Sequence, residues 1–304
     1  MTRRGTHTAL VFVLVGLVCQ EVGASIAVLL FPQVGPLGMV MLRLVFSALI
    51  LLAIARPALR GHDAKAWRAV VAFGGVLAMM NGLFYLALER LPLGVTVTIE
   101  VLGPLALSII ASRRASALLW AALALAGVAA LGGGGWDRLD PLGVLYALGA
   151  AAAWAFYILA SARVGREFPR LDGLALAMTI GALISLPFGI LDAGSALLRP
   201  ELLALGLAVA VLSSTVPYTL ELLALRRLPA STFAILMSLG PVTASLAGFL
   251  LLGQHLVWLE LVGIGLVIVA SIGAVRASTR AAERTDAAAS APRDIDPPLG
   301  EPVA

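Results

Sequence analysis

Five ionisable side chains lie within long apolar stretches of this chain, where a charge is costly. They are Glu21, Arg43, Glu100, Glu221 and Glu260. A charged side chain at the centre of a bilayer costs roughly 2.5 to 3.5 kcal/mol on insertion scales, so it is expected to face a partner or a water-filled cavity. A carboxylate in such a place can bind a proton or a substrate ammonium, but not comfortably both. This competition is the chemical basis for exchanging one cation for the other across a membrane.

Three of these groups fall at one depth when the position along each apolar stretch is converted to distance. Glu21 lies roughly 18 Å from the cytoplasmic end of its stretch, and Arg43 and Glu100 lie roughly 10 Å from the outer ends of theirs. In a hydrocarbon core about 30 Å thick these positions share nearly one level. Gln20 and Asn81 reach that level by the same count. We therefore predict a cluster of these five side chains inside the membrane.

Within this cluster Arg43 is expected to neutralise one carboxylate and leave the other in excess. Glu100 is the predicted exchanging carboxylate, because Pro104 has no N–H to donate to the backbone carbonyl of Glu100. Irregular helix backbone at membrane depth is tolerated where it lines a cavity. The alternative is a static ion pair of Arg43 with Glu21 or Glu100 that only holds helices together.

Three aromatic side chains are further candidates for the walls of a substrate pocket, namely Trp154, Tyr157 and Tyr218. Tyr218 follows Pro217, which leaves the backbone carbonyl of Ser213 without its helical donor. The competing interpretations are that the aromatic rings only pack between helices and that Pro217 only kinks one.

The two remaining carboxylates fall near the ends of their stretches. Glu221 is expected at the cytoplasmic end and Glu260 near the outer end of an apolar segment. Both are therefore predicted to lie at the membrane interface rather than in the central cluster.

The elements that must position these groups are helices that cross a membrane. Of the 304 residues, 61% are hydrophobic and 12% are charged, and the mean hydropathy is +1.01, which excludes a water-soluble fold. A crossing takes about 20 residues. Ten apolar segments are predicted as transmembrane helices: 9–30, 36–55, 68–88, 93–111, 116–132, 141–161, 173–191, 202–223, 231–252 and 256–275. The predicted fold class is therefore an all-α integral membrane protein.

Basic residues predict the orientation of these helices. With the N-terminus in the cytoplasm, 17 of the 21 Lys and Arg residues fall on the cytoplasmic side and three fall outside. Both termini are therefore expected in the cytoplasm. The net charge of +4 reflects this distribution rather than nucleic-acid binding, because the basic residues are spread over the loops.

An internal repeat relates the two halves of the chain. With a shift of 137 positions, 90–92 (Arg-Leu-Pro) matches 227–229, and 102–104 (Leu-Gly-Pro) matches 239–241. Five helices in each half, an odd number, make the second half inverted, which is a framework for alternating access in secondary transporters. The predicted divisions are 1–135, 136–276 and a disordered cytoplasmic tail, 277–304. A duplication kept only for packing is the alternative.

Several classes of activity lack their sequence signals. Gly132 to Gly135 are not followed by Gly-Lys-Ser, so a phosphate-binding loop is absent. The three histidines show no metal-ligand spacing, and no protease or hydrolase motif occurs. No enzyme activity and no cofactor are expected, although an intramembrane enzyme, a pore and a non-transporting scaffold remain the alternatives. The expected partners are a small molecule, protons and the lipid bilayer, and a homodimer is left open.

Several motifs of this chain resemble the EamA branch of the drug/metabolite transporter superfamily. They are 91–95 (Leu-Pro-Leu-Gly-Val), Glu100 with Gly103-Pro104, 112–114 (Ser-Arg-Arg), 153–159 (Ala-Trp-Ala-Phe-Tyr-Ile-Leu) and 217–221 (Pro-Tyr-Thr-Leu-Glu). The resemblance implies a bacterial inner-membrane exporter of small hydrophilic amino acids such as threonine or homoserine, coupled to proton entry. The chain departs from the family at 240–241, 253–254 and Glu21, so another small metabolite remains the alternative substrate.

Overall fold

The structure is a computed structural model that describes residues 3–112, 115–131, 139–225, 227–228 and 230–290. Within these residues the regular structure is entirely helical. The α-helices are α1 (Arg3–Val34), α2 (Pro36–Ala55), α3 (Ala64–Leu88), α4 (Leu93–Glu100), α5 (Leu102–Ser112), α6 (Ala115–Leu131), α7 (Pro141–Glu167), α8 (Asp172–Ala193), α9 (Pro200–Ala210), α10 (Val216–Leu225), α11 (Ala230–Met237), α12 (Gly240–Leu252) and α13 (Trp258–Ser290).

Nine helical stretches among the described residues are long and apolar enough to cross a membrane. They correspond to nine of the ten predicted segments, and the tenth, 116–132, corresponds to the shorter apolar helix α6. The prediction of an all-helical membrane fold is therefore confirmed. The inverted relation of the two halves stays a prediction.

Three crossing stretches are interrupted, and each interruption precedes a proline. The α4–α5 stretch breaks after Glu100, ahead of Pro104, as the sequence predicts. A π-helical segment, Val211–Thr215, separates α9 from α10 just before Pro217. The α11–α12 stretch breaks ahead of Pro241. A proline inside a helix removes one backbone hydrogen bond and crowds the preceding turn, which explains the shared position of these breaks.

Helix pairs from different halves of the chain form the interior. The most extensive packing joins α2 to α8, α3 to α7 and α6 to α13, and α1 packs along α10. Small residues allow this close approach. A methyl group added at Gly103 would collide with the backbone carbonyl of Ala151 on α7, so α5 and α7 touch through their backbones at this point.

Polar contacts fasten both ends of the α3–α7 pair. Arg90 Nη1 donates to Asp140 Oδ2 over 2.7 Å at one end, and Lys65 and Glu167 lie 3.9 Å apart at the other. The bond from Arg90 holds the pKa of Asp140 below its ordinary value, and the backbone N–H of Leu142 adds to this effect. Asp140 also caps the start of α7.

The last helix extends past the predicted start of the tail. Helix α13 continues to Ser290, beyond the boundary predicted at residue 277. Six of the residues in 277–290 are Ala, which has the highest helix propensity, so this stretch can extend a helix that the membrane has already nucleated. The division of the chain at residue 277 stays a prediction, and 291–304 lie outside the described part of the chain.

Candidate functional site

A cavity lies between the two halves of the chain and holds about 660 Å³ of space, counting the part open to solvent. The cavity is lined by Gln20, Glu21, Ala24, Arg43, Met80, Asn81, Phe84, Glu100, Trp154, Tyr157, Tyr218, Glu221 and Met237. All eight side chains nominated from the sequence are among them.

Six helical elements bring these eight side chains together. From the first half, α1 carries Gln20 and Glu21, α2 carries Arg43, α3 carries Asn81, and Glu100 is the last residue of α4. From the second half, α7 carries Trp154 and Tyr157, and α10 carries Tyr218. The acidic and basic side chains nominated from the sequence thus come from one half and the aromatic ones from the other.

Arg43 is held by the interrupted stretch between α9 and α10. Its side chain is buried, its Nε donates to Ser214 Oγ over 2.8 Å, and its Nη2 donates to the backbone carbonyl of Ser213 over 2.8 Å. A longer contact of 3.4 Å joins Nη1 to the Tyr85 hydroxyl, and the guanidinium carbon lies 5.6 Å from the centre of that ring.

This arrangement follows from the missing N–H of Pro217. The carbonyl of Ser213, which loses its helical donor, accepts a hydrogen bond from Arg43 instead. Single-turn π segments of this kind are frequent at functional sites. Helix α1 approaches the same segment at Gly23, where an added methyl group would collide with the Ser213 side chain. Sequence reasoning identified the free carbonyl but not the donor, which lies on another helix.

No ion pair within 4.0 Å joins Arg43 to Glu21 or Glu100. The ion pairs among the described residues all lie at helix ends, well away from the cavity. The static ion pair considered from the sequence is therefore absent. Arg43 shares the cavity with both carboxylates, but its short hydrogen bonds go to the α9–α10 segment.

The carboxylate of Glu21 is nearly sealed from solvent. Its side chain is 2% exposed, and its Oε2 atom has no hydrogen-bond partner in the structure. A buried polar atom without a partner is rare, because the lost hydration is not repaid. Glu100 likewise forms no hydrogen bond or ion pair with the described residues. Both groups are therefore available to a proton or another cation.

Glu221 also lines the cavity, a contact that the predicted position at the membrane interface did not include. It lies three residues after Tyr218 on α10, so both side chains occupy one face of that helix. This spacing was the signal that could have identified it from the sequence. Glu260, in contrast, lies in the first turn of α13, where its carboxylate accepts a hydrogen bond from the backbone N–H of Val257.

The other polar and aromatic walls are set by contacts within and between helices. Asn81 Nδ2 donates to the Leu77 carbonyl over 2.8 Å, which uses one of its two amide hydrogens. The ring of Tyr157 packs against Phe73, with 5.2 Å between ring centres. Met80, Phe84, Ala24 and Met237 complete the apolar walls, and no sequence signal distinguished them from ordinary packing residues.

The cavity chemistry suits a small molecule that carries opposite charges. Three carboxylates can accept from an ammonium group, and Arg43 uses one N–H on each of its three nitrogens, which leaves two of its five N–H groups. Across the described residues, no group of three or more His, Cys, Asp or Glu side chains could hold a metal ion.

Comparison with known proteins gives one family and several relatives. Residues 141–276 match the model of the EamA-like transporter family. The chain is 43% identical over 267 residues to the threonine/homoserine exporter RhtA of Escherichia coli (strain K12), which covers 87% of this chain and 90% of that protein. The corresponding protein of Salmonella typhimurium (strain SL1344) is 43% identical over 254 residues, which covers 83% of this chain and 85% of that protein.

More distant similarities agree with this assignment of fold. The uncharacterized transporter YwfM of Bacillus subtilis (strain 168) is 29% identical over 211 residues, which covers 67% of this chain and 71% of that protein. A protein of known crystal structure superimposes with a TM-score of 0.58 at 20% identity, over 90% of this chain and 98% of the other. At this identity the superposition shows a common fold.

Proposed function

Because the chain belongs to the EamA-like transporter family, we propose that it exports threonine, homoserine and similar small hydrophilic amino acids by proton antiport. The protein is a multi-pass membrane transporter of the bacterial inner membrane and not an enzyme. The substrate assignment is supported by the names of the relatives at 43% identity. The observation that carries the mechanism is the set of unpaired carboxylates in a cavity within the membrane.

The cavity offers each charge of a zwitterionic amino acid a partner. The substrate ammonium would bind the carboxylate of Glu100, with Glu21 as a second acidic wall. The substrate carboxylate would bind the two N–H groups of Arg43 that its contacts with Ser213, Ser214 and Tyr85 leave free. Asn81 and Gln20 are polar lining that could bind the substrate hydroxyl. Trp154, Tyr157 and Tyr218 would enclose its carbon atoms.

Glu100 is the proposed coupling carboxylate. It is the last residue of α4, and the break that follows frees its backbone carbonyl as well as placing its side chain on the cavity. When the substrate leaves, its ammonium leaves a negative charge in a region of low dielectric, where an unpaired charge is costly. A proton that enters from outside restores neutrality and is released to the cytoplasm when the next substrate binds.

Alternating access would come from two inverted halves, residues 1–135 and 136–276, with both termini in the cytoplasm. Two features support this arrangement. Of the ten predicted segments, the third packs on the sixth, and these are helices α3 and α7. In an inverted repeat the third segment corresponds to the eighth and the sixth to the first, and α10 of the eighth segment does pack on α1. Proline-linked breaks also occur at matching places in the two halves, ahead of Pro104 and Pro241. A homodimer remains open and is not needed for this scheme.

The proposal can be tested in cells that are poisoned by excess threonine or homoserine. We expect the protein to raise tolerance and to increase efflux of the labelled amino acid, and Glu100→Gln to abolish both. Glu167→Gln is the matched control, because Glu167 is an acidic residue at a helix end outside the cavity. If the wild type gives neither tolerance nor efflux, the substrate assignment is wrong. If Glu100→Gln exports normally, the coupling assignment is wrong.

Transport of another small metabolite is the second candidate, and Glu21 is the observation that favours it. The resemblance implies an uncharged polar residue at this place, whereas here a buried carboxylate lines the cavity. The other two departures, at 240–241 and 253–254, do not line it. A panel of labelled solutes in vesicles with an imposed proton gradient would separate the two candidates, since only the true substrate would move against its gradient.

A further inference from the structure

Glu221 is a carboxylate of the cavity that has no role in the scheme above. It lies near the end of α10 and lines the same cavity as Glu100. No hydrogen bond or ion pair joins its side chain to any residue that the structure describes. The salt bridges that do form use other acidic residues at helix ends. Placing an ionisable side chain inside a membrane protein costs free energy, so such a residue is expected to bind a ligand or to have another function.

The position of Glu221 differs from that of Glu100 along the membrane normal. Glu100 is seven residues from the start of α4, which is roughly 10 Å. Glu221 is 21 residues from the start of the stretch that begins at Pro200, which is roughly 31 Å from the same face. Counted this way, Glu221 lies nearer the predicted cytoplasmic side than Glu100 does, although both line one cavity.

Two tyrosines line the cavity together with these two carboxylates. Tyr218 lies three residues before Glu221 on α10, and Tyr157 comes from α7. From α1, the polar groups that face the cavity are Gln20 and Glu21. Among the lining residues that the structure describes, no basic side chain other than Arg43 could neutralise Glu221.

Glu21 supplies independent support that the cavity binds a cation. Its Oε2 atom is buried and has no hydrogen-bond partner, although the side chain is only 2% exposed and lines the cavity. Among the described lining residues, Glu21, Glu100 and Glu221 make three acidic groups against one basic group. The lining thus has more acidic groups than the ammonium of one substrate molecule and the guanidinium of Arg43 can neutralise.

We propose that Glu221 is a second proton-exchanging carboxylate, which takes the proton released by Glu100 and passes it to the cytoplasm. This inference rests on the proposed antiport. In the step, Glu100 loses its proton and becomes a carboxylate, the Glu221 carboxylate gains a proton, and Glu221 then gives that proton to the solution. The charge of the cavity is unchanged until that release, so no further reactant is needed.

The single carboxylate at the Glu221 end of the cavity favours a proton over the substrate as its ligand. A zwitterion brings its carboxylate within a few ångströms of its ammonium, so a lone acidic side chain attracts one end and repels the other. A proton carries positive charge alone, so the carboxylate attracts it with no opposing repulsion. Binding of the substrate ammonium at Glu221 is therefore the competing role, and the experiment below separates the two.

The test uses purified full-length protein in vesicles and two measurements with labelled threonine. Counterflow at equal pH exchanges substrate for substrate and needs no proton release. Net transport driven by a pH gradient does need proton release. We expect Glu221→Gln to keep counterflow with an unchanged KM and to lose net transport by about tenfold or more. Glu221→Asp, which keeps a carboxylate, should restore net transport, and Glu167→Gln should match the wild type in both measurements.

Each outcome decides a different point. Preserved net transport in Glu221→Gln overturns the inference. A raised KM in counterflow also overturns it, because it assigns Glu221 to substrate binding. Loss of both activities, in Glu221→Gln and Glu221→Asp alike, indicates a structural role and overturns it as well. Failure of the wild type to show counterflow overturns the proposed substrate, and wild-type counterflow that never responds to a pH gradient overturns the antiport.

Discussion

The hydrogen bond between Arg43 and Ser214 offers a quantitative test of how the cavity is held in shape. In the structure Arg43 Nε donates to Ser214 Oγ over 2.8 Å, and both side chains are buried. Hydrogen bonds to a charged group contribute about 1.5 to 3 kcal/mol. Ser214→Ala is therefore expected to lower the free energy of unfolding by about 1.5 to 3 kcal/mol.

A double-mutant cycle separates this bond from the general cost of changing Ser214. The second change is Arg43→Lys, which keeps the charge but removes the planar donor set that reaches Ser214 and the Ser213 carbonyl together. In the Arg43→Lys background, Ser214→Ala should cost less than about 0.5 kcal/mol, because the partner is already gone. Ser185→Ala is the matched control, since the buried hydroxyl of Ser185 donates to the Ala182 carbonyl away from the cavity.

The assay is unfolding by sodium dodecyl sulfate from mild detergent, followed by circular dichroism, which gives a free energy for each variant. Counterflow of labelled threonine provides a second readout, because a loosened α9–α10 segment should raise KM. An equal cost of Ser214→Ala in both backgrounds would refute the reasoning. It would mean that the short Arg43 contact contributes nothing to the stability of the interrupted helix.

Two further predictions concern the packing and the charges outside the cavity. Gly103→Ala should destabilise the protein by about 1 to 3 kcal/mol because the new methyl group collides with the Ala151 carbonyl, whereas Gly75→Ala, with open space around it, should be nearly neutral in the same unfolding assay. Arg90 lowers the pKa of Asp140 in the folded protein, so the stabilisation from this pair is complete above the ordinary pKa of an aspartate and is lost as the pH falls through the lowered value. Asp140→Asn should therefore lower Tm at pH 7 and leave Tm unchanged at a pH below the lowered pKa. An equal change in Tm at these two pH values would contradict this account.

Sequence reasoning could assign the candidate residues to one level because the position along a helix is a local quantity. The number of residues from a helix end converts directly to distance, so Glu21, Arg43 and Glu100 could be assigned to one level before their helices were arranged. The structure places all three on one cavity. The same reasoning did not connect Glu221 with the cavity, since a residue near a helix end can still line a cavity that is reached from that end.

The partner of Arg43 could not be found in this way. The guanidinium bonds to Ser213 and Ser214, which are 170 and 171 residues away in sequence. Pro217 predicted that the backbone carbonyl of Ser213 lacks its helical donor, but many other donors could have reached that carbonyl. Only the crossing of α2 against the α9–α10 segment selects Arg43, because the choice depends on which helix faces carry the two groups.

The amino-acid sequence by itself determined that the chain forms apolar helices long enough to cross a membrane and where each charged group lies along its own helix. These properties follow from hydropathy and from the geometry of a single helix, which depend on neighbouring residues alone. The tertiary structure decided which charges meet, that Arg43 supports a broken helix instead of pairing with a carboxylate, and that Glu221 belongs to the cavity. Those outcomes depend on the rotation and crossing of helices from both halves, which packing between distant residues sets.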